Sequence, residues 1–238
     1  MDQDDQFLEE ELVLADEPRH IIRRLLVIVL VGIVLVFLGY VGWLVLKPET
    51  KVGGFTAVYP ESNKTISAEK SLIREGSPIV GPADAKIVIV EFGDFECPFC
   101  RESFPVIRTL IAKYANDIKF VYRHFPVPSL HINAIAAAEA SMCANEQGKF
   151  LAYHDRLFQN QERLDYDNLK RYARQIGING ADFDKCVDDR RYKKFIEEDM
   201  ADGINIGVSG TPTWFINGRK VEGAIPAEIF NKIIEKLL

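Results

Sequence analysis

A near-continuous apolar run, Lys86-Ile87-Val88-Ile89-Val90-Glu91-Phe92, is followed by a helix-period segment and by a second run, Ile118-Lys119-Phe120-Val121-Tyr122-Arg123-His124. β-branched residues in unbroken succession mark strands covered on both faces. Between them Phe104, Ile107, Leu110 and Ile111 recur at helical spacing up to Tyr114. Strand, helix and strand so close together form a βαβ unit, which requires parallel strands joined by a crossover. Much of the fold follows from this one feature, since the rest of the chain must complete a sheet with helices on its faces.

The chain beyond this unit agrees. From about 129 to 207 the strand signal vanishes and amphipathic stretches appear over 132–146, 150–158, 167–176, 183–188 and 192–202. Asp165 is placed to cap the third and Gly177 to stop it. Thr213-Trp214-Phe215-Ile216 then leads through Asn217-Gly218, a two-residue hairpin signal, into Arg219-Lys220-Val221. Pro226 opens a last helix carrying Ile229, Phe230, Ile233, Ile234 and Leu237 on one face. The expected order is βαβ, helical insertion, ββα, in one mixed α/β sheet. Residues 71–76 are expected to add an edge strand.

Ahead of this domain, Leu25 to Leu46 runs without a charge. At about 1.5 Å per residue it reaches across a hydrocarbon core of roughly 30 Å. Arg19, Arg23 and Arg24 precede it, Lys47 and Lys51 follow it, and Tyr40 and Trp43 suit the far interface. The expectation is an uncleaved anchor with the N-terminus cytoplasmic and the remainder outside. A cleaved signal peptide and a buried core helix are the alternatives, but the run is long for the first with no small-x-small cleavage site following, and it lacks the polar face of the second. The division is therefore a cytoplasmic tail over 1–24, an anchor over 25–46, a polar linker over 47–75 and a domain over 76–238. The net charge of -6 comes with no basic stripe, so nucleic acid is not an expected partner.

Four cysteines are too few to build a scaffold, so their positions carry the information. Cys97-Pro98-Phe99-Cys100 falls where the first strand hands over to the helix. A cysteine there meets the positive end of the helix dipole and unpaired N–H groups, which favour thiolate. Cys100, one turn on, is placed to resolve a mixed disulfide formed at Cys97. Half a zinc site has the same spacing, but no second CxxC or CxxH accompanies it. Glu91 shares a face with Ile87 and Ile89, so alternation places it inside, where a carboxyl has a raised pKa and can serve as acid or base. Cys143 and Cys186 lie on the apolar sides of two insertion helices. Outside the cytoplasm they are expected to pair, closing a loop of 43 residues; free buried thiols and a second redox relay are the alternatives. His124, His131 and His154 show no ligand spacing and read as core or surface residues, and Trp214 reads as core.

Phe92-Gly93-Asp94-Phe95-Glu96-Cys97-Pro98-Phe99-Cys100, the insertion, and Ser209-Gly210-Thr211-Pro212-Thr213-Trp214-Phe215-Ile216-Asn217-Gly218 together resemble the DsbA-like thiol–disulfide oxidoreductases. The resemblance implies a thioredoxin-like fold from about Ser77 to Leu238. It implies a cis Pro212 facing the cysteines, with Thr211 lending backbone hydrogen bonds to a bound peptide. It makes Glu91 a buried acid that assists proton transfer, and it makes the insertion a cap over a substrate groove. Expected partners are exported or unfolded polypeptides and a membrane redox partner, with no cofactor. Phe99 departs from the strongest oxidants, which carry histidine there, and Glu96, if close to the sulfur, opposes the thiolate. The same fold run as a reductase or isomerase is the nearest alternative. A peptide-binding or chaperone module without catalysis is a more distant one, since a pure binder has no use for Cys100.

Overall fold

The computed structural model describes residues 22–41 and 72–238. The expected tail up to residue 21, the end of the apolar run over 42–46 and the linker over 47–71 lie outside the described residues. The chain divides into two compact units, Met1–Phe55 and Thr56–Leu238. In the first, the described part is one helix, Ile22–Val41, of 20 residues with mean hydropathy 2.7. Its side chains are exposed throughout, the opposite of a core helix.

The second unit is built on a five-stranded sheet. Its strands are β1 (Ile79–Val80), β2 (Ile87–Gly93), β3 (Ile118–His124), β4 (Thr213–Ile216) and β5 (Arg219–Glu222), in the order β1-β3-β2-β4-β5. The β2–β3 pair is parallel, joined by α1 (Pro98–Lys113), and the other three pairs are antiparallel. The hairpin turn places Asn217 and Gly218 at φ 47 and 78. There the asparagine does more than turn the chain. Its Oδ1 accepts from the Val88 amide at 2.7 Å and its own amide donates to the Val88 carbonyl at 2.8 Å, tying the hairpin to the start of β2.

Strand alternation sorts the core. Ile87, Ile89, Phe120 and Tyr122 face a large apolar cluster shared with α1, the insertion and α7 (Ala227–Leu237). Val90, Phe92, Val121 and Phe215 face a smaller one. The insertion comprises α2 (Ala134–Glu146), α3 (Phe150–Gln159), α4 (Tyr166–Gln175), α5 (Gly180–Asp188) and α6 (Lys193–Asn205). Asp165 accepts from the Asn168 amide at the start of α4, and Gly177 follows that helix at φ 73. Helix α2 is rich in alanine and buried along most of its length, so neighbours approach it closely. Cys143 on α2 and Cys186 on α5 are joined in a disulfide, with Cα atoms 5.9 Å apart.

Residues 72–76 form no strand, contrary to the expectation over 71–76. The chain turns at Gly76 (φ 86), and Ile79 and Val80 form the edge strand paired with β3. Arg74 is drawn to α6 instead, where it pairs with Glu198 and donates to the Phe195 carbonyl at 2.8 Å.

Candidate active site

Cys97 is the N-cap of α1, and Pro98 occupies the first helical turn, where a missing N–H leaves no partner unpaired. The sulfur therefore lies at the open amide end of a 16-residue helix. Both cysteines of the pair are buried residues. The Cys97 thiol is lowered from 9.0 to about 6. The largest cause is the Cys100 thiol, which donates to the thiolate. Burial opposes it, and the Thr211 hydroxyl and the backbone N–H groups of Cys100 and Phe99 add to it. In the protonated form Cys97 Sγ donates to the Thr211 carbonyl at 3.2 Å. The Thr211–Pro212 bond is cis.

Cys100 is shifted the other way. It has no exposed surface, and burial, then Cys97 and the charge of Glu91, push its thiol well up. Glu91 is buried on the same sheet face; burial first, and then Cys97, hold its carboxyl well above the usual range. Its Oε2 has no hydrogen-bond partner. The structure thus brings Cys97, Cys100, Thr211, Pro212 and Glu91 to one end of the sheet. Cys143 and Cys186 stand apart from them as a bonded pair within the insertion.

The turn that carries Cys97 is fixed by side chains from elsewhere in the sequence. Buried Asp94 accepts from the Glu96 amide and the Val127 amide at 2.8 Å each, and faces His131 Nδ1 at 2.7 Å. Both carboxylate oxygens of Glu96 are engaged by Asn133, through its backbone amide at 2.6 Å and its side-chain amide at 2.9 Å. Gln161, just past α3, donates to the carbonyls of Phe95 and Cys97 at 2.9 Å each. Phe99 is 58% exposed beside the pair, and Leu130 and Ile132 are exposed on the loop that Asp94 and Glu96 hold.

A family model described as thioredoxin matches residues 74–236. The chain belongs to the thioredoxin family. Two solved structures share the fold. A thioredoxin-like oxidoreductase from Silicibacter pomeroyi is 24% identical, with TM-score 0.63 over 71% of this chain and 96% of that one. The thiol-disulfide exchange protein alpha-DsbA2 from Wolbachia pipientis is 20% identical, with TM-score 0.65 over 72% of this chain and 92% of that one. Among curated proteins, the Na(+)/H(+) antiporter NhaA 1 of Salinispora arenicola is 39% identical over 155 residues, 65% of this chain and 24% of that one. The chain spans about a quarter of the length of such relatives.

Within this thioredoxin-family domain, Asp94, Gln161, His131 and Asn133 escape sequence reasoning. Asp94 follows a strand-ending glycine, a turn position where aspartate bonds nearby amides, and that was its available signal. Gln161 had none, because its partners lie more than sixty residues away. Trp214 is core: it packs edge-on against Phe230 at 5.4 Å and donates from Nε1 to the Gly223 carbonyl at 3.0 Å. His124 and His154 both pack on the Tyr122 ring while His131 lies apart beside Asp94, and among the described residues no cluster of His, Cys, Asp and Glu is arranged for a metal.

Proposed function

We propose that this domain catalyses dithiol–disulfide exchange on polypeptides outside the cytoplasm, oxidising them through a Cys97–Cys100 disulfide. The observation that carries the reading is the inequality of two neighbouring sulfurs: one acidic, near 6, beside the Thr211 backbone, and one fully buried with its thiol suppressed. A substrate thiolate attacks Cys97 Sγ, the bond to Cys100 breaks, and Cys100 leaves with the electron pair and takes a proton. A second substrate thiolate then attacks the substrate sulfur of the mixed disulfide. Cys97, the better leaving group, departs as thiolate. Thr211 and Pro212 hold the peptide alongside, and Glu91 supplies the proton for Cys100. Exchange between sulfurs needs no cofactor, and a membrane redox partner that accepts two electrons restores the disulfide.

The location is supported by a 20-residue apolar helix and by a disulfide in the insertion, which persists where the surroundings are oxidising. The domain layout is read as tail 1–24, anchor 25–46, linker 47–75 and catalytic domain 76–238. Ion antiport is named for relatives about four times longer than their matched segment, and it is not carried over to this chain.

Exposed Phe99 favours a second reading, a reductase, because it supplies no positive charge to the thiolate. The reduction potential of the pair, measured on the full chain in detergent against glutathione buffers, separates the two. Thioredoxin lies near about -270 mV and DsbA near about -120 mV. An oxidase is expected towards the upper value; a result near the lower one overturns oxidation in favour of reduction.

A further inference from the structure

Glu91, Gly93, Tyr122 and His124 share one sheet face, since Glu91 pairs with Tyr122 and Gly93 with His124 in the β2–β3 register. The Tyr122 hydroxyl lies over Gly93, 2.4 Å from where a Cβ would stand, so only glycine leaves room for it. Two imidazoles pack on the Tyr122 ring, His124 at 5.1 Å from β3 and His154 at 5.4 Å from α3. All these residues are buried.

Seven buried side-chain atoms among the described residues have no hydrogen-bond partner, and five belong to this group: Glu91 Oε2, Tyr122 Oη, both nitrogens of His124, and His154 Nε2. An orphaned polar atom in a core loses its hydration with nothing in return. Five together in one aromatic nest are therefore expensive, and random imperfection scatters such defects rather than gathering them. The other nitrogen of His154 has a partner. Nδ1 stands 3.0 Å from Asp155 Oδ1, and Asp155 is part-exposed and bonded to Arg108 at 2.9 Å. Arg108 is eight residues beyond Cys100 on α1, roughly 12 Å along the helix, so this rim is well separated from the sulfur that meets substrate.

We propose that Tyr122, His124 and His154, bridged by buried water, form a proton path between Glu91 with Cys100 and the solvent at Asp155. The proposal rests on the exchange reading and deepens it. When a polypeptide is joined to Cys97, it covers the open end of α1, and Cys100 behind it has no proton donor on that side. A route along the sheet face supplies one without dislodging the substrate. On resolution of a mixed disulfide the same route runs outward: Cys100 Sγ–H gives its proton to Glu91, Cys100 Sγ attacks Cys97 Sγ, the leaving thiolate departs with the electron pair, and the proton exits at Asp155. Both imidazoles are neutral, as burial holds them below their ordinary range, so each has one nitrogen that donates and one that accepts. The charged or titratable groups that face them are Arg123 beside His124, Asp155 and Arg108 beside His154, and Asp94, Cys97, Cys100 and Glu91 around Tyr122.

The test is rapid-quench reaction of the reduced full chain, in detergent, with glutathione disulfide. Mass spectrometry then follows formation of the Cys97 adduct and its resolution by Cys100 as separate steps. Tyr122→Phe removes one unpartnered oxygen, and His154→Phe places an apolar ring among Phe104, Phe150 and Phe158, so both variants suit their surroundings. The expected result is resolution slowed about ten-fold or more, a changed solvent deuterium isotope effect on that step, and adduct formation within about two-fold of the parent. Resolution at the parent rate in both variants overturns the path. So does equal slowing of both steps, which marks a packing defect. If the unsubstituted chain forms no adduct at Cys97, the exchange reading itself falls, and the path with it.

Discussion

Cys97 and Cys100 are separated by one helical turn, yet their thiols move in opposite directions. Cys97 is stabilised as an anion by several donors around it, whereas at Cys100 burial outweighs the single backbone donor, that of Asp94. Alkylation of the reduced chain is expected to titrate with a midpoint near 6, and a midpoint near the ordinary thiol value of about 8.5 would sink the acidic-sulfur reading. The same shift is a statement about stability. Because the folded pKa lies below the unfolded value of 9.0, the contribution is complete above 9.0 and fades as pH falls towards about 6. Buried Glu91 acts the opposite way, so the expected signature in denaturant melts is a difference: across that window the reduced form gains stability with rising pH relative to the disulfide form, which lacks the Cys97 contribution. At this scale the sequence was legible where chemistry is local. CxxC at a strand–helix junction and Glu91 in alternation with Ile87 and Ile89 could be read directly. His124 and His154 could not, because thirty residues separate two rings that meet on one tyrosine, and only the β2–β3 register and the placement of α3 bring them together.

At the scale of elements, the insertion is held by two unlike devices. The Cys143–Cys186 bond closes 43 residues, worth roughly 4 kcal/mol in the chain-entropy picture. Replacing both cysteines by alanine should lower the denaturant midpoint by an amount of that order; a change below about 1 kcal/mol would show that packing alone fixes α2 on α5. On the other sheet face, fully buried Arg123 donates to Asp199 at 2.8 Å, to Asp202 at 2.6 Å and to the Leu72 carbonyl at 3.0 Å, tying β3 to α6 and to the domain's first described residue. Arg123→Met takes the nearer cation from buried Asp199, leaving it Arg74 at 3.4 Å and the His124 amide at 2.9 Å, and is expected to cost about 3 kcal/mol, read from the same melts. Helices of the insertion and both hairpin strands were legible from period and turn chemistry. The edge strand was misplaced for a physical reason: a two-residue strand has no period to read, and Arg74 goes to a helix 120 residues away.

The whole molecule carries a thioredoxin-family domain and an apolar helix in one chain, and the proposed orientation puts the sulfurs outside. A reporter enzyme that matures only outside the cytoplasm, fused after Leu238, should be active; silence there, with activity from a reporter that works only inside, reverses the topology. The disulfide inside the insertion has one more consequence. Every new copy needs an oxidation event of its own at Cys143 and Cys186 before its helical insertion is braced. If the proposed activity is what provides it, the population propagates itself: finished molecules mature the newcomers, and the first few in a naive cell must wait for a slower, foreign oxidant. Such a system has memory. Its output after a period of reduction would recover along an accelerating curve, starting from however many copies survived intact.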